Sequence, residues 1–266
     1  MKPVARRKAI LRLLDEIGEI TVEDMAARFS ASRETIRRDL SDLDAAGQIR
    51  KFHGGARRMG VTDASLHESE FDTRMKERRT EKNAIAATAA TLFPEGSILF
   101  IDTGSTTIAF ARALCAKRNM TVITNSPQIA QLLSQAEMRH RVYLLGGEVA
   151  AEGRETLGAM AVAQIAQFKA EHVVLTIGAI TTTAIMDYDL RETEMARAMI
   201  AQAQSVTVLA DHHKLDRPAV FQVAELSRVS RLVTDRQPGP EMTAALAAAG
   251  IEVIVADPVL PEQIEP

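Results

Sequence analysis

The 266-residue chain holds one cysteine, Cys115, so no internal disulfide can staple it. Cys115 falls in a helix-like segment and is expected there as a small buried apolar residue. No uninterrupted apolar run reaches the roughly 18 residues that a membrane-spanning helix needs. Met1-Lys2-Pro3-Val4-Ala5-Arg6-Arg7 is basic, but no apolar stretch with a cleavage site follows it, so it does not read as a secretory signal. Internal repeats and low-complexity tracts are lacking too. What is present, 46% hydrophobic and 25% charged residues, is ordinary for a globular protein and excludes collagen-like, disordered and disulfide-stapled classes. The length suits one large domain or two smaller ones, and a cytoplasmic location is expected.

The net charge of −3 conceals an asymmetry. Residues 1–60 carry thirteen Lys and Arg against nine Asp and Glu, while the remainder is acidic by seven charges. A basic head on an acidic body suggests that only the head meets a polyanion. In the head, Ile10, Leu13, Leu14 and Ile17 recur at helical spacing before Gly18. Thr21 with Asp24 three residues on resembles a capping box opening a second helix, whose inward face is Met25, Ala26 and Phe29. Ser30-Ala31-Ser32 makes a turn, and Ser32 is a good N-cap for a third helix running to Ala45. Its apolar face is Ile36, Leu40 and Leu43. Gln48–Arg58 reads as a hairpin around Gly54-Gly55. Three short helices and a basic hairpin make a winged helix-turn-helix.

In such a unit the third helix enters the major groove. Arg33 and Arg37 lie one turn apart, and a guanidinium can grip guanine O6 and N7 or hold a phosphate. Ser32, Thr35 and the helix N-terminus suit phosphate, and Lys51, Arg57 and Arg58 on the wing suit the backbone or minor groove. The same charges also fit a solvated helix face, with Glu34 and Asp39 neutralising Arg38 locally.

Residues 59–80 show little periodicity and read as a linker, with Phe71 expected to dock against a folded part. Beyond them, short apolar runs alternate with helical ones. Strands are expected at Ser97–Ile101, Thr121–Thr124, Arg141–Leu145, His172–Ile177, Val206–Ala210, Arg231–Thr234 and Glu252–Val255. Helices are expected near 81–92, 105–117, 126–136, 156–168, 190–203 and 241–249. That alternation implies a parallel sheet covered on both faces. The expected organisation is a head at 1–58, a linker at 59–80 and an α/β body at 81–256.

Asp102-Thr103-Gly104-Ser105-Thr106-Thr107 leaves a strand and opens a helix. Glycine permits a sharp turn, the hydroxyls add donors, and the helix start adds positive potential, which together suit an anion. The run is neither a P-loop nor a dinucleotide fingerprint. An N-capped helix without a ligand would explain it equally. Thr124-Asn125-Ser126, Leu145-Gly146-Gly147-Glu148 and Ala210-Asp211-His212-His213-Lys214 also stand at strand C-terminal ends, where open α/β sheets bind ligands. Gly178-Ala179 is a weaker fourth. Each is also ordinary turn chemistry. Lys214 is the sharpest candidate, since an ammonium would neutralise a bound anion, though a surface lysine in a turn is the commoner case. His212-His213 lacks a Cys or carboxylate at ligand spacing, so no metal site and no cofactor is expected.

Ser32-Arg33-Glu34-Thr35-Ile36-Arg37-Arg38-Asp39-Leu40 resembles the signature of the DeoR family of bacterial transcriptional regulators. Arg6, Ile10 and Leu14 stand at the family's spacing before it, and His53-Gly54-Gly55-Ala56 resembles its wing. Phe71, Arg74 and Glu81-Lys82 also fit the family pattern, and the likeness continues through the body. It implies DNA binding through Ser32, Arg33, Thr35, Arg37, Arg38, Lys51, His53, Arg57 and Arg58. It also implies a C-terminal sensor similar to ribose-5-phosphate isomerases that binds sugar phosphates or related metabolites. The residues carried over are Asp102, Gly104, Ser105, Thr106 and Thr107 as phosphate loop, Asn125, Gly146 and Gly147 as pocket edges, and Asp211 and Lys214 as ligand contacts. Met186-Asp187-Tyr188-Asp189 with Glu192 or Glu194, Arg197-Ala198-Met199 and Ala210-Asp211-His212 look most like glycerol-3-phosphate regulon repressors. Two departures beside the expected pocket leave the ligand open. His213-Leu215 replaces the subgroup's Ser and Phe around Lys214, and Gly178-Ala179-Ile180-Thr181 replaces Gly-Gly-Ile-Asp.

The resulting expectation is a repressor of carbohydrate or glycerol metabolism genes. It would bind a double-stranded operator as a homo-oligomer, dimer or tetramer, and be released by a phosphorylated sugar or polyol, glycerol 3-phosphate being one possibility. No membrane partner is expected. The alternative is a sugar-phosphate isomerase-like enzyme with a regulatory head. It is disfavoured because the isomerase-type Gly-Ala-Asp is Gly178-Ala179-Ile180 here, although Asp187, Asp189, Glu192 and Glu194 remain available as acids. An activator without a small ligand is a third reading.

Overall fold

The computed structural model describes residues 3–17, 19–45, 48–52, 54–58, 71–150 and 155–257. They divide into two compact units, within residues 1–67 and 68–266.

In the first unit, α1 (Pro3–Ile17) is followed by β1 (Glu19–Thr21), α2 (Val22–Arg28), α3 (Arg33–Ala45), β2 (Ile49–Phe52) and β3 (Gly55–Arg58). Thr21 Oγ1 accepts from the Asp24 amide at 3.2 Å and donates to the Asp24 carboxylate at 2.7 Å, starting α2 where the sequence pattern places it. Ser32 Oγ accepts from the Thr35 amide at 3.1 Å and starts α3. Ile10, Leu13, Leu14, Met25, Ile36, Leu40 and Leu43 are all buried in one core with Ile49 and Ala56. β2 and β3 form the expected hairpin, and β1 adds to β3 to give the antiparallel order β1-β3-β2. β1 has no sequence signal, because three residues are too few to show alternation.

Asp39 departs from expectation. It is 4% exposed and paired with Arg6 of α1, so it does not neutralise Arg38. A buried pair of this kind fixes α1 against α3, and removing one partner strands a charge in the core. Asp39→Ala should therefore destabilise this unit by about 3–5 kcal/mol. Urea unfolding followed by helical circular dichroism should show the unit's transition moving to lower denaturant.

The second unit begins inside the stretch expected as linker. Residues 71–80 are helical, as α4 (Phe71–Lys76) and the start of α5 (Arg79–Thr91). Phe71 is buried against the α5 and α6 apolar residues. Its docking is what makes this part of the chain belong to the body, and residues 59–70 lie outside the described residues. The sheet strands are β4 (Ile98–Ile101), β5 (Thr121–Thr124), β6 (Arg141–Leu144), β9 (Ala170–Leu175), β12 (Ala203–Leu209), β14 (Arg231–Thr234) and β15 (Glu252–Val255). Between them run α6 (Ser105–Leu114), α7 (Pro127–Gln135), α8 (Ala159–Ile165), α9 (Leu190–Ala201) and α10 (Pro240–Ala248). The seven strands are parallel in the order β15-β14-β12-β9-β4-β5-β6, each at its expected place in the sequence. Phe100, Ile123, Val173, Leu175 and Val208 face one core with Met195, Met199 and Leu246. Leu99, Ile101, Val122, Val174 and Val233 face the other with Ile85, Phe110 and Leu133. Helices thus cover both faces, which is why the central strands read as continuous apolar runs.

Two additions escaped the sequence pattern. β7 (Glu148–Val149) pairs with β8 (Thr156–Leu157), and β10 (Ala179–Ile180), β11 (Ala184–Asp187) and β13 (Phe221–Glu225) form a small antiparallel sheet. They are short, and β11 and β13 join residues distant in sequence. Cys115 is half-buried at the end of α6, its Sγ 3.3 Å from the Ala111 carbonyl.

Candidate nucleic-acid interface and anion site

On α3, Arg33, Arg37 and Arg38 are exposed, opposite the buried Ile36 and Leu40. Arg33 lies 3.4 Å from Glu23 of α2, an exposed ion pair of little energetic weight. Among the described residues, Arg37 and Arg38 form no ion pair, so both guanidinium groups face solvent. The Ser32 and Thr35 hydroxyls lie 2.8 Å apart and bond each other at the helix start. Lys51 on β2 donates to Ser41 Oγ at 3.0 Å, tying the wing to α3. Arg57 and Arg58 are described only as part of β3, and His53 lies outside the described residues.

In the second unit the strand order reverses between β4 and β9. From β4 the chain steps outward to β5 and β6, then returns to β9 on the other side of β4 and steps outward to β12, β14 and β15. Such a switch point opens a crevice at the carboxyl ends of the strands. Asp102 leaves β4 at this place, and its Oδ2 accepts from the Thr176 amide at 2.9 Å and the Thr176 hydroxyl at 3.3 Å, just past β9. Its Oδ1 is shielded from water with no hydrogen-bond partner among the described residues. Burial pushes the Asp102 carboxyl well above the usual range, the Thr176 amide opposes this, and Glu155 and Asp187 push it further up.

Gly104 is obligatory here, since a Cβ would sit 2.1 Å from Thr176 Oγ1. It precedes α6, whose first intrahelical bond is Ile108 N–H to the Gly104 carbonyl at 2.9 Å. The Ser105, Thr106 and Thr107 amides thus lack intrahelical acceptors. The side chains contribute less than the sequence suggests. Thr106 and Thr107 are buried and Thr107 Oγ1 turns back to the Gly104 carbonyl at 3.1 Å, leaving Ser105 half-exposed.

Asn125 is 1% exposed and acts from behind. It accepts from Thr103 Oγ1 at 3.3 Å and donates to Glu155 Oε2 at 2.9 Å. Gly146 is held on both backbone groups by Gln164, at 3.0 and 3.1 Å, and a Cβ on Gly147 would meet the Leu157 carbonyl at 2.6 Å. Gly146 is thus tied to α8, and Gly147 packs against β8 and α8.

Asp211, 2% exposed, lies two strands from Asp102, roughly 10 Å at ordinary strand spacing. It caps the turn that carries Lys214, accepting from the His213 amide at 3.0 Å. Arg78 Nε reaches it to 3.4 Å, and Lys82, 5% exposed, donates to the Arg74 carbonyl at 2.5 Å. Burial lowers Lys82 to about 8; Asp211 holds it up, while Arg78 and Lys214 push it down. Arg74 and Lys82 were visible only through the family pattern, and Arg78 through no signal, because their segment reads as linker. On the acidic side stand Glu155, 4% exposed, and Asp187, 7% exposed, with the half-buried Glu192 bonded to Glu155. Burial raises Glu155 to about 7 against the opposing bonds from Asn125 and Glu192 and the charge of Arg74. His212 Nδ1 is 2.7 Å from Asp235 Oδ2, which anchors the ring beside the loop.

Residues 6–60 match the DeoR-like helix-turn-helix domain and residues 77–236 the DeoR C terminal sensor domain. The chain belongs to the DeoR family. It is a DNA-binding transcriptional regulator, and its relatives are named repressors. The HTH-type transcriptional repressor CsqR of Escherichia coli strain K12 is 32% identical over 94% of each chain. The glycerol-3-phosphate regulon repressor of Haemophilus influenzae is 34% identical over 90% of this chain and 91% of that one. Among solved structures, ribose 5 phosphate isomerase A from Neisseria gonorrhoeae shares 16% identity at a TM-score of 0.37, covering 50% of this chain and 52% of that one. At that distance it bears on neither ligand nor chemistry. Among the described residues of this DeoR-family regulator, no helix is long and apolar enough to cross a membrane, and no group of three or more His, Cys, Asp or Glu could hold a metal.

The raised Glu155 gives a signed pH dependence. Its folded value of about 7 lies above the ordinary 4.5, so the folded state binds the extra proton between those values. The stability contributed by that proton is full at low pH and is lost as pH rises toward 7. Glu155→Gln mimics the protonated form, so its stability relative to the wild type should grow from pH 5 to pH 7.5. Calorimetric melting of the body across that range should show this, and a constant difference would place the proton elsewhere.

Proposed function

We propose that this regulator is a repressor that releases its operator when a phosphorylated sugar or polyol enters the crevice at the β4–β9 switch point. The observation that carries this reading is the gathering of cationic and acidic side chains at the carboxyl edge of the sheet. Lys82 is flanked by Asp211, Arg78 and Lys214, and the carboxyl of Asp102 by those of Glu155 and Asp187. A phosphorylated polyol has a matching form, with a charged phosphate at one end and hydroxyls at the other. Carboxyls accept hydrogen bonds from hydroxyls when ionised and donate when protonated. The name of the Haemophilus relative agrees with such a ligand. In this reading Lys214 and the α6 amides meet the phosphate, and Asp102 meets the hydroxyls. The regulator acts in the cytoplasm.

The head, residues 1–58, docks one half-site of a double-stranded operator through α3 and the wing. A homo-oligomer supplies the paired half-sites, since paired heads are needed to read them. The effector must favour the state of lower operator affinity, because only a difference between states moves the equilibrium. Sensing rather than turnover fits the site, since Ile180 stands on β10 where the isomerase pattern has an acid, and it is buried.

Lys214→Ala should retain operator binding in a mobility-shift titration while losing release by glycerol 3-phosphate and other phosphorylated polyols. Loss of operator binding in that variant would make Lys214 a structural residue. Turnover of a phosphorylated sugar by the purified chain would favour the enzyme reading instead. Arg37→Ala tests the head. If Arg37 reads guanine, binding should weaken by about 1–3 kcal/mol with relaxed preference at one base pair. A uniform loss over all sequences, with the salt slope reduced by about one, would assign it to phosphate.

A further inference from the structure

We propose that Thr103 recognises a hydroxyl of the effector, as a hydrogen-bond acceptor whose polarity Asn125 fixes from behind. The inference rests on the phosphorylated-effector reading and deepens it, assigning a residue outside those that the family likeness implies. Asn125 is 1% exposed, and its Nδ2 donates to Glu155 Oε2 at 2.9 Å and to the Thr156 carbonyl at 3.3 Å. A carbonyl only accepts, so turning the amide over would lose that bond and set two acceptors face to face. The Asn125 Oδ1 therefore faces Thr103 Oγ1, 3.3 Å away, and takes the one proton that the hydroxyl can give.

Thr103 is half-buried between Asp102 and Gly104, where the loop leaves β4. Among the described residues, its hydroxyl has no bond besides the one to Asn125. What Oγ1 can still offer is lone pairs alone. A phosphate monoester carries close to two negative charges at neutral pH, and its free oxygens accept. Placed against Thr103, it would set acceptor against acceptor. The Ser105, Thr106 and Thr107 amides at the start of α6 suit it instead. A hydroxyl on carbon can donate, so it is the group that Thr103 accommodates. The direction of one hydrogen bond thus orients the effector along the loop. An alkyl phosphate would leave Oγ1 dehydrated and unmatched, and a site built for a hydroxyl rejects a ligand that lacks it.

Two matched pairs of probes test this, glycerol 3-phosphate with propyl phosphate and sorbitol 6-phosphate with hexyl phosphate. The members of a pair share carbon count and charge and differ in their hydroxyls. Their binding to the full-length protein at pH 7.5 is measured by calorimetric titration for the wild type, Thr103→Val, Thr103→Ala and Thr103→Ser. In a pair that binds, the wild type should prefer the polyol phosphate. Thr103→Val should weaken the polyol phosphate about tenfold with little change for the alkyl phosphate, and Thr103→Ser should keep the preference. Thr103→Ala repeats the deletion without setting a methyl against Asn125 Oδ1, should valine disturb the loop. Equal weakening of both members in the Val and Ala variants would show that Thr103 only holds the loop. An unchanged preference in those variants, or none in the wild type, would show that it recognises no hydroxyl. Each of these outcomes overturns this proposal while leaving the phosphorylated-effector reading standing. Failure of all four probes to bind the wild type would overturn that reading, and this one with it.

Discussion

The reversal of strand order between β4 and β9 governs the body. A parallel sheet that grows outward in one direction covers its strand ends with successive loops. When growth restarts on the other side of the first strand, the two flanking loops diverge and leave a gap. In this protein the gap is closed at its floor by a side chain. Asp102 reaches from the end of β4 to the Thr176 amide beyond β9, and Gly104 has no side chain because Thr176 occupies the space one would need. The start of α6 takes its position from that junction, while the turn after β12 is held by Asp211 and Asp235.

The crevice places charged groups where water is scarce, and their protonation shows it. Asp102 and Glu155 are pushed toward their neutral forms by burial, and Lys82 is pushed the same way on the cationic side. A site whose charges are held in this state gains more from a complementary ligand than the same residues would on an open surface, because low local polarity strengthens each interaction. The head contrasts with it. Its buried pair, Arg6 with Asp39, joins two helices, and Arg37 and Arg38 are exposed to solvent.

Much of the architecture was legible because its signals are local. All seven sheet strands appeared as short apolar runs, and in the central β4, β5, β9 and β14 burial on both faces removes the need for polar alternation. Ser32 and Thr21 announced helix starts because a side-chain oxygen near a free amide acts within three residues. The head's core was readable from helical spacing, as Ile36, Leu40 and Leu43 must share a face. The misreadings were of another kind. Residues 71–80 passed for linker because their apolar content is thin and Phe71 is buried only by helices elsewhere in the chain. Asp39 was assigned to a neighbour one residue away, whereas its partner is on another helix. The pairs β7–β8 and β11–β13 involve short strands whose partners the local pattern does not reveal.

The sequence by itself determined the two-part organisation, the helix-turn-helix, the parallel sheet and the loops that meet at its carboxyl edge. These follow from spacing, turn chemistry and charge, each acting over a few residues. Only the tertiary structure decided which members of those loops face the crevice. Asn125, Gly146 and Gly147 prove to be held in hydrogen bonds and close packing, while Arg74, Arg78, Lys82 and Glu155 are brought beside it. Contacts between residues far apart in the chain depend on how helices and strands pack, and residue spacing carries no record of that.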